Sequence, residues 1–247
     1  MSALLLEIAA NSVGSALAAQ AGGADRIELC ENLGEGGTTP SYGTLARVRE
    51  RLHIPVFVLV RPRGGDFLYD ADELEVMKRD IETCARLGCD GVVIGALDAD
   101  GDVDQTSCRE LIAAAGTTMS ITFHRAFDAA RDQAQALEAI IALGCRRVLT
   151  SGAATSALEG VDTIAAHVRQ AGDRIGILVG AGVNAANLPA LVARSGAREF
   201  HGSARALHAS AMRHRNEALQ GLEADWMQTD ADAVRALVAA LRTAASA

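Results

Sequence analysis

Short apolar runs alternate with amphipathic stretches along the whole chain. The runs predict strands at residues 4–9, 26–30, 55–61, 91–97, 119–124, 147–151, 175–180 and 199–203. Between them, apolar residues recur at helical spacing, as at 73–87, 132–143 and 156–171, and a last helix is expected over 232–241. Regular strand–helix alternation argues for a parallel sheet. Eight such units argue for closure, so the expected fold class is α/β, a single (β/α)8 TIM barrel domain over residues 1–247. An open doubly wound sheet is the runner-up, but the early G-x-G-x-x-G of a dinucleotide fold is missing.

An internal repeat supports eight units. Gly23, Gly88, Gly144 and Gly196 are each followed by Ala or Cys, two more residues and an apolar strand start. Each glycine is placed to end a helix in a left-handed conformation. The four units lead into strands two, four, six and eight, as a core layered from alternate strands requires. The repeat also orients side chains. Period two puts Ile27 and Leu29 toward the helices, with Glu28 and Cys30 on the barrel side. The positions equivalent to Glu28 are Val93, Leu149 and His201. Those equivalent to Cys30 are Gly95, Ser151 and Ser203, small residues that leave room for a ligand.

Composition narrows the class. A barrel of this kind needs about 250 residues, and the chain has 247. Aromatics are only 3% against 49% hydrophobic residues, so the core is aliphatic. Net charge is −8 with no basic run, which disfavours nucleic-acid binding. No apolar run approaches the ~18 residues of a membrane helix. The opening stretch, residues 1–10, lacks a basic segment and contains Glu7, so it reads as a strand rather than a signal peptide. Five cysteines without a C-x-x-C fit neither a disulfide framework nor a zinc ribbon, and point to a reducing cytoplasm.

Alternation applied to the odd strands sends Glu7, Arg61 and His124 inward, beside Glu28 and His201. Charges at such depth are costly unless paired, and they gather at functional sites. Glu7, Glu28, His124 and His201 are therefore candidate catalytic residues. Arg61, Arg63 and Asp66 in the loop after strand three suit a carboxylate or phosphate. Gly180 and Gly182, with Ser203 and Ser151 at neighbouring strand ends, stand where many barrels hold phosphate. Asn32 and residues 34–40 form another glycine-rich rim loop. Cys30, His124 and His201 could supply three ligands to a soft metal such as Cu(I). Cys84, Cys89, Cys108 and Cys145 read as packed small side chains. The long segment 204–231, with His208, Arg213, His214, Arg215 and Trp226, reads as a lid, a contact surface or packing on the barrel's end.

Several of these stretches together resemble the CutC copper-homeostasis family: 23–37 (GADRIELCENLGEGG), 61–69 (RPRGGDFLY), 122–128 (TFHRAFD), 149–152 (LTSG) and 199–203 (EFHGS). The resemblance runs in order over nearly the whole chain. It implies a cytoplasmic, often self-associating (β/α)8 barrel (a homodimer or higher homo-oligomer) assigned to copper handling. Cys30, His124 and His201 fall in the matching stretches.

Three readings stay open. The chain could bind a copper ion as Cu(I) at the strand tops. It could be an enzyme of isomerase or lyase type acting on a small anionic or phosphorylated metabolite. Arg61 and Arg63 would then clamp the anion, Glu7 or Glu28 act as base, and His124 or His201 as acid. It could also be a barrel that binds without turnover.

Overall fold

The computed structural model describes residues 4–216, 218 and 221–245. At its centre eight parallel strands form a closed barrel in sequence order. They are β1 (Leu5–Ala10), β2 (Arg26–Leu29), β3 (Val56–Leu59), β4 (Gly91–Ile94), β5 (Ser120–Phe123), β6 (Arg147–Thr150), β7 (Gly176–Val179) and β8 (Glu199–Gly202). The barrel closes where β1 pairs with β8 in a register that opposes Glu7 and His201. The (β/α)8 expectation holds and the open sheet does not. Of the predicted first strand's approach, residues 1–3 lie outside the described residues.

Helices follow the strands: α1 (Val13–Gly22), α2 (Tyr42–Arg51), α3 (Ala71–Arg86), α4 (Gln105–Ala115), α5 (Gln133–Ala142), α6 (Val161–Ala171), α7 (Leu188–Ser195) and α8 (Ala231–Ala245). Six start on a side-chain cap from Ser12, Ser41, Asp70, Asp104, Asp132 or Asp230, each accepting an otherwise orphaned backbone N–H. The predicted segment 156–171 is helical only from Val161, because its first residues turn back against the β7 loop, where Ala157 N–H donates to Ala181. The four repeat glycines all have positive φ, from 69° to 88°, where a Cβ would be strained. Helix α8 packs against α1 and α7 and completes the outer ring.

Strand alternation sorts the side chains as the repeat predicts. Ile27, Leu29, Val92, Ile94, Val148 and Phe200 join the main core shared with the helices. Ala9, Cys30, Phe57, Leu59 and Val93, from the opposite strand faces, form a separate small apolar cluster. The strands are shorter than the apolar runs that predicted them. Residues such as Arg61, His124 and Ser151 lie past the ladder, in the loops that build the rim.

Between β8 and α8 the long segment carries a two-stranded antiparallel ribbon, β9 (Arg205–His208) with β10 (Trp226–Thr229). Its foot is tied to α1, where Thr229 N–H donates to Ser15 Oγ at 3.1 Å. The Trp226 ring stacks 4.4 Å from His208 and stays half exposed. Arg213 and His214 are exposed beyond it, and Arg215 pairs with Asp225 at 3.0 Å.

Candidate functional site

The barrel floor is an ion network. Arg26 Nε donates to Glu7 Oε2, and Arg26 Nη2 to Glu199 Oε2 at 2.6 Å. Glu199 also accepts from Arg147 Nε at 3.2 Å. Arg147 Nη1 reaches the hydroxyls of Ser120 and Thr122, both at 3.2 Å. Both guanidiniums lie over the Phe57 ring, 5.3 and 4.8 Å from its centroid. Every charge here has an opposite partner, which is what makes charge tolerable at this depth.

One level higher, His201 sits between two buried carboxylates. Its Nδ1 is 2.7 Å from Glu7 Oε1, and its Nε2 is 3.7 Å from Glu28 Oε2. Burial works against ionising Glu7, but Arg26 and His201 outweigh it and hold the carboxyl low. Glu7 is thus an acceptor, and His201 Nδ1 carries the proton between them. Burial also disfavours charge on His201, yet Glu28 and Glu7 together raise it above its ordinary value. Glu28 has no such compensation. Burial raises it, with Glu7 adding to the effect and His201 opposing. The Glu28–His201 separation is too long for a hydrogen bond. Both side chains line the cavity above.

That cavity, of about 600 Å³, opens at the C-terminal end of the barrel. Its floor includes Glu28 and His201, and its wall includes Arg61, His124, Arg125 and Arg205. The β6, β7 and β8 loops close one side through Ala153, Gly182 and Ser203. Arg205 makes no salt bridge among the described residues, whereas Arg125 is shared with Asp128 at 2.7 Å. Asp128 organises this side. It accepts from Thr150 Oγ1 at 2.5 Å, from Ser151 N at 3.0 Å and from Ala153 N at 3.2 Å.

Several predicted residues have other work. Arg61 is buried, and its terminal nitrogens donate to the carbonyls of Glu35, Gly37 and Gly65. It braces two rim loops, and only its Nε is unpartnered among the described residues. Arg63 and Asp66 do not line the cavity. Arg63 pairs with Glu73 and Asp66 and stacks on Tyr69, pinning its loop to α3. The two-arginine clamp is therefore not formed. Gly180 lies against Leu149, where a Cβ would come within 2.6 Å of Cδ1. Ser151 is buried on Asp128, while Gly182 and Ser203 reach the cavity.

The expected metal trio is not assembled. Among the described residues no three His, Cys, Asp or Glu side chains converge to hold a metal ion. Cys30 is fully buried in the small apolar cluster, with its thiol toward Ala10 O at 3.9 Å. Burial, then Glu28, pushes that thiol well above its ordinary value, opposite to what a thiolate ligand requires. His201 is held by Glu7, and His124 Nδ1 accepts from Ala126 N–H at 3.1 Å. The donor set present does not fit Cu(I).

Sequence reasoning passed over Arg26, Arg147 and Glu199. Each stands two residues before an inward position already identified (Glu28, Leu149 and His201), so the same period-two step would have found them. Asp128 and Arg125 sit in the quoted 122–128 stretch without having been given a role. Arg205 carried no local signal, because the ribbon brings it over the barrel mouth.

Fold and site together define a (β/α)8 barrel with a charged pocket open at the C-terminal face, where such barrels carry function. The chain belongs to the CutC family, whose sequence pattern matches residues 4–206. It is 62% identical over 239 residues to a family protein CutC from Xanthomonas campestris pv. campestris (strain B100), covering 97% of this chain and 99% of the relative. A human relative named copper homeostasis protein cutC homolog is 50% identical over 215 residues, covering 87% of this chain and 78% of the relative. The crystal structure of CutC from Streptococcus agalactiae superposes with a TM-score of 0.78 at 35% identity, over 81% of this chain and 98% of that one.

Proposed function

We propose that the chain is an enzyme that moves a proton on a small anionic metabolite held in the pocket at the C-terminal face. The observation that carries this reading is the buried line Glu28, His201, Glu7 under that pocket. Glu7 is a fixed anion that orients and charges His201. Glu28, kept partly neutral by burial, exchanges a proton with the ligand, and His201 takes up or returns the charge. Arg205 and Arg125, with the amides of the β7 and β8 loops, supply the positive field for the anion. Isomerase and lyase chemistry both suit a single acid–base couple.

A thermal-shift screen of anionic metabolites, followed by turnover assays on any stabilising compound, tests the reading. Glu28→Gln is expected to fold, to bind the same compound and to lose turnover. Wild-type turnover by that variant removes Glu28 from the mechanism. No stabilisation by any anion removes the enzyme reading.

The copper reading rests on the names of the relatives. It assigns this chain to copper homeostasis; Cu(I) bound through Cys30, His124 and His201 requires these side chains, which do not converge among the described residues, to move together. An anaerobic Cu(I) titration against a competing chelator separates the two. Tight one-to-one binding that Cys30→Ala abolishes supports copper, and mutation-insensitive weak binding supports the enzyme. A cytoplasmic, self-associating protein fits either reading. All five thiols are free and buried, and the ribbon exposes Leu207 and Trp226.

A further inference from the structure

The proton-transfer reading leaves the cavity's second imidazole unused. His124 is 4% exposed and stands immediately after β5 in the pocket wall. Its Nδ1 accepts the Ala126 N–H, so that nitrogen carries no hydrogen. A neutral ring in this setting has its proton on Nε2. That Nε2 is buried and has no hydrogen-bond partner among the described residues.

The ring is closely seated. Gly95 makes room for it, since a Cβ there would lie 2.6 Å from His124 Cε1. Phe67 covers it at 5.1 Å and Phe123 flanks it at 6.0 Å. The charged groups around it disfavour a second proton. Burial comes first, and the Arg61 guanidinium adds to it. No described carboxylate hydrogen-bonds to the ring to offset them. A buried donor left unpaired is costly, so an unpaired Nε2–H on a residue that lines the cavity points to a ligand acceptor.

Resting on the reading above, we propose that His124 donates its Nε2–H to a carbonyl oxygen of the substrate, and that the substrate is an anion bearing a ketone or aldehyde. The step follows from the groups present. Glu28 removes a proton from the carbon next to the carbonyl. The C–H electron pair becomes the C=C bond, and the carbonyl π pair moves onto oxygen. The resulting enolate oxygen is held by His124 Nε2–H. Where the deprotonated carbon carries a hydroxyl, Glu28 returns the same proton to the former carbonyl carbon, whose new C–H bond takes the C=C pair. The hydroxyl O–H pair becomes the new C=O and its proton passes to the enolate oxygen, completing an isomerisation with no oxidant or co-reactant. A neutral imidazole suits this role because it stabilises the oxyanion without surrendering its proton.

Two probes with the same phosphate test it: phosphoglycolohydroxamate, which mimics an enolate oxygen, and glycerol 3-phosphate, which has no carbonyl. Calorimetry on the whole protein is expected to show the hydroxamate bound at least ~100-fold more tightly. His124→Gln is expected to remove most of that preference, roughly 100-fold, while leaving glycerol 3-phosphate affinity unchanged. Independently of any ligand, nitrogen-15 NMR of the His124 ring is expected to show the Nε2–H tautomer, without titration between about pH 5 and pH 8. An undiminished preference in His124→Gln, an Nδ1–H tautomer, or titration near the ordinary value overturns the assignment of His124 and leaves the anion site standing. Failure of wild type to bind either probe overturns the anionic-metabolite reading, and this inference with it.

Discussion

His201 Nδ1 lies 2.7 Å from Glu7 Oε1, across the seam where β8 meets β1 and closes the barrel. The residue that orients the candidate acid–base couple is therefore also part of the closure. Glu7 satisfies Arg26 and His201 at once, while Glu199 is the second partner of Arg26 and Glu28 faces the other side of His201. Glu7→Ala is expected to destabilise the fold by about 1–3 kcal/mol, because it removes one of the two carboxylates on Arg26, leaving Glu199, and strips His201 Nδ1 of its partner. Chemical denaturation checks the stability. Loss of less than about 1 kcal/mol means that the floor network relaxes around the gap.

Glu28→Gln is expected to change stability in a pH-dependent way. The folded-state value of Glu28 is raised above the ordinary 4.5. Its contribution is full below that ordinary value and is lost as pH rises through the raised one. Glutamine does not titrate. The variant should gain on wild type as pH rises across that window, in Tm measured at successive pH values. A difference that is flat, or of opposite slope, contradicts a buried, neutral-leaning Glu28.

His124 has the opposite sign. Burial and Arg61 lower it from 6.5 to about 3. Its contribution is full above 6.5 and is lost as pH falls toward 3, at up to about 1.4 kcal/mol per pH unit. His124→Gln should therefore lose less stability than wild type between neutral and acid pH, read as the difference between their denaturation midpoints.

Gly95→Ala tests the seat of that ring. The added Cβ would fall 2.6 Å from His124 Cε1 and 3.2 Å from Ala126 Cβ. Overpacking of this kind costs about 1–3 kcal/mol. The expected outcome is a lower Tm together with a changed His124 ring NMR signal. A normal signal with unchanged Tm means the imidazole is free to shift.

Arg63→Ala checks a correction. Arg63 is 40% exposed at the side chain and makes its contacts with α3 and its own loop, outside the cavity. The substitution should leave anion affinity unchanged and cost no more than about 1 kcal/mol. A large loss of anion affinity restores Arg63 to the site.

Much of the fold was legible because its signals are local. Period-two strands, helical spacing and the glycine repeat are properties of neighbouring residues, and they marked all eight strands. The same alternation turned Glu28 and His201 inward. It stopped short at Arg26, Arg147 and Glu199, which lie on the same faces one step lower. Loop roles were not legible. Nothing local tells whether an arginine beside glycines grips a ligand, as expected of Arg61, or the carbonyls of Glu35, Gly37 and Gly65, as it does.

The sequence by itself determined the (β/α)8 barrel, the family and the upper inward-facing ionisable groups, Glu7, Glu28, His124 and His201, because strand and helix periodicity record which face is buried. The tertiary structure alone decided how those groups pair. Glu7 and His201 are 194 positions apart and meet only at barrel closure. Which carboxylate stays charged, which nitrogen of His124 keeps its proton, and whether Cys30 is a ligand or a packed thiol all depend on neighbours brought from other strands. Burial and short-range electrostatics act through space, and no local pattern in the chain records them.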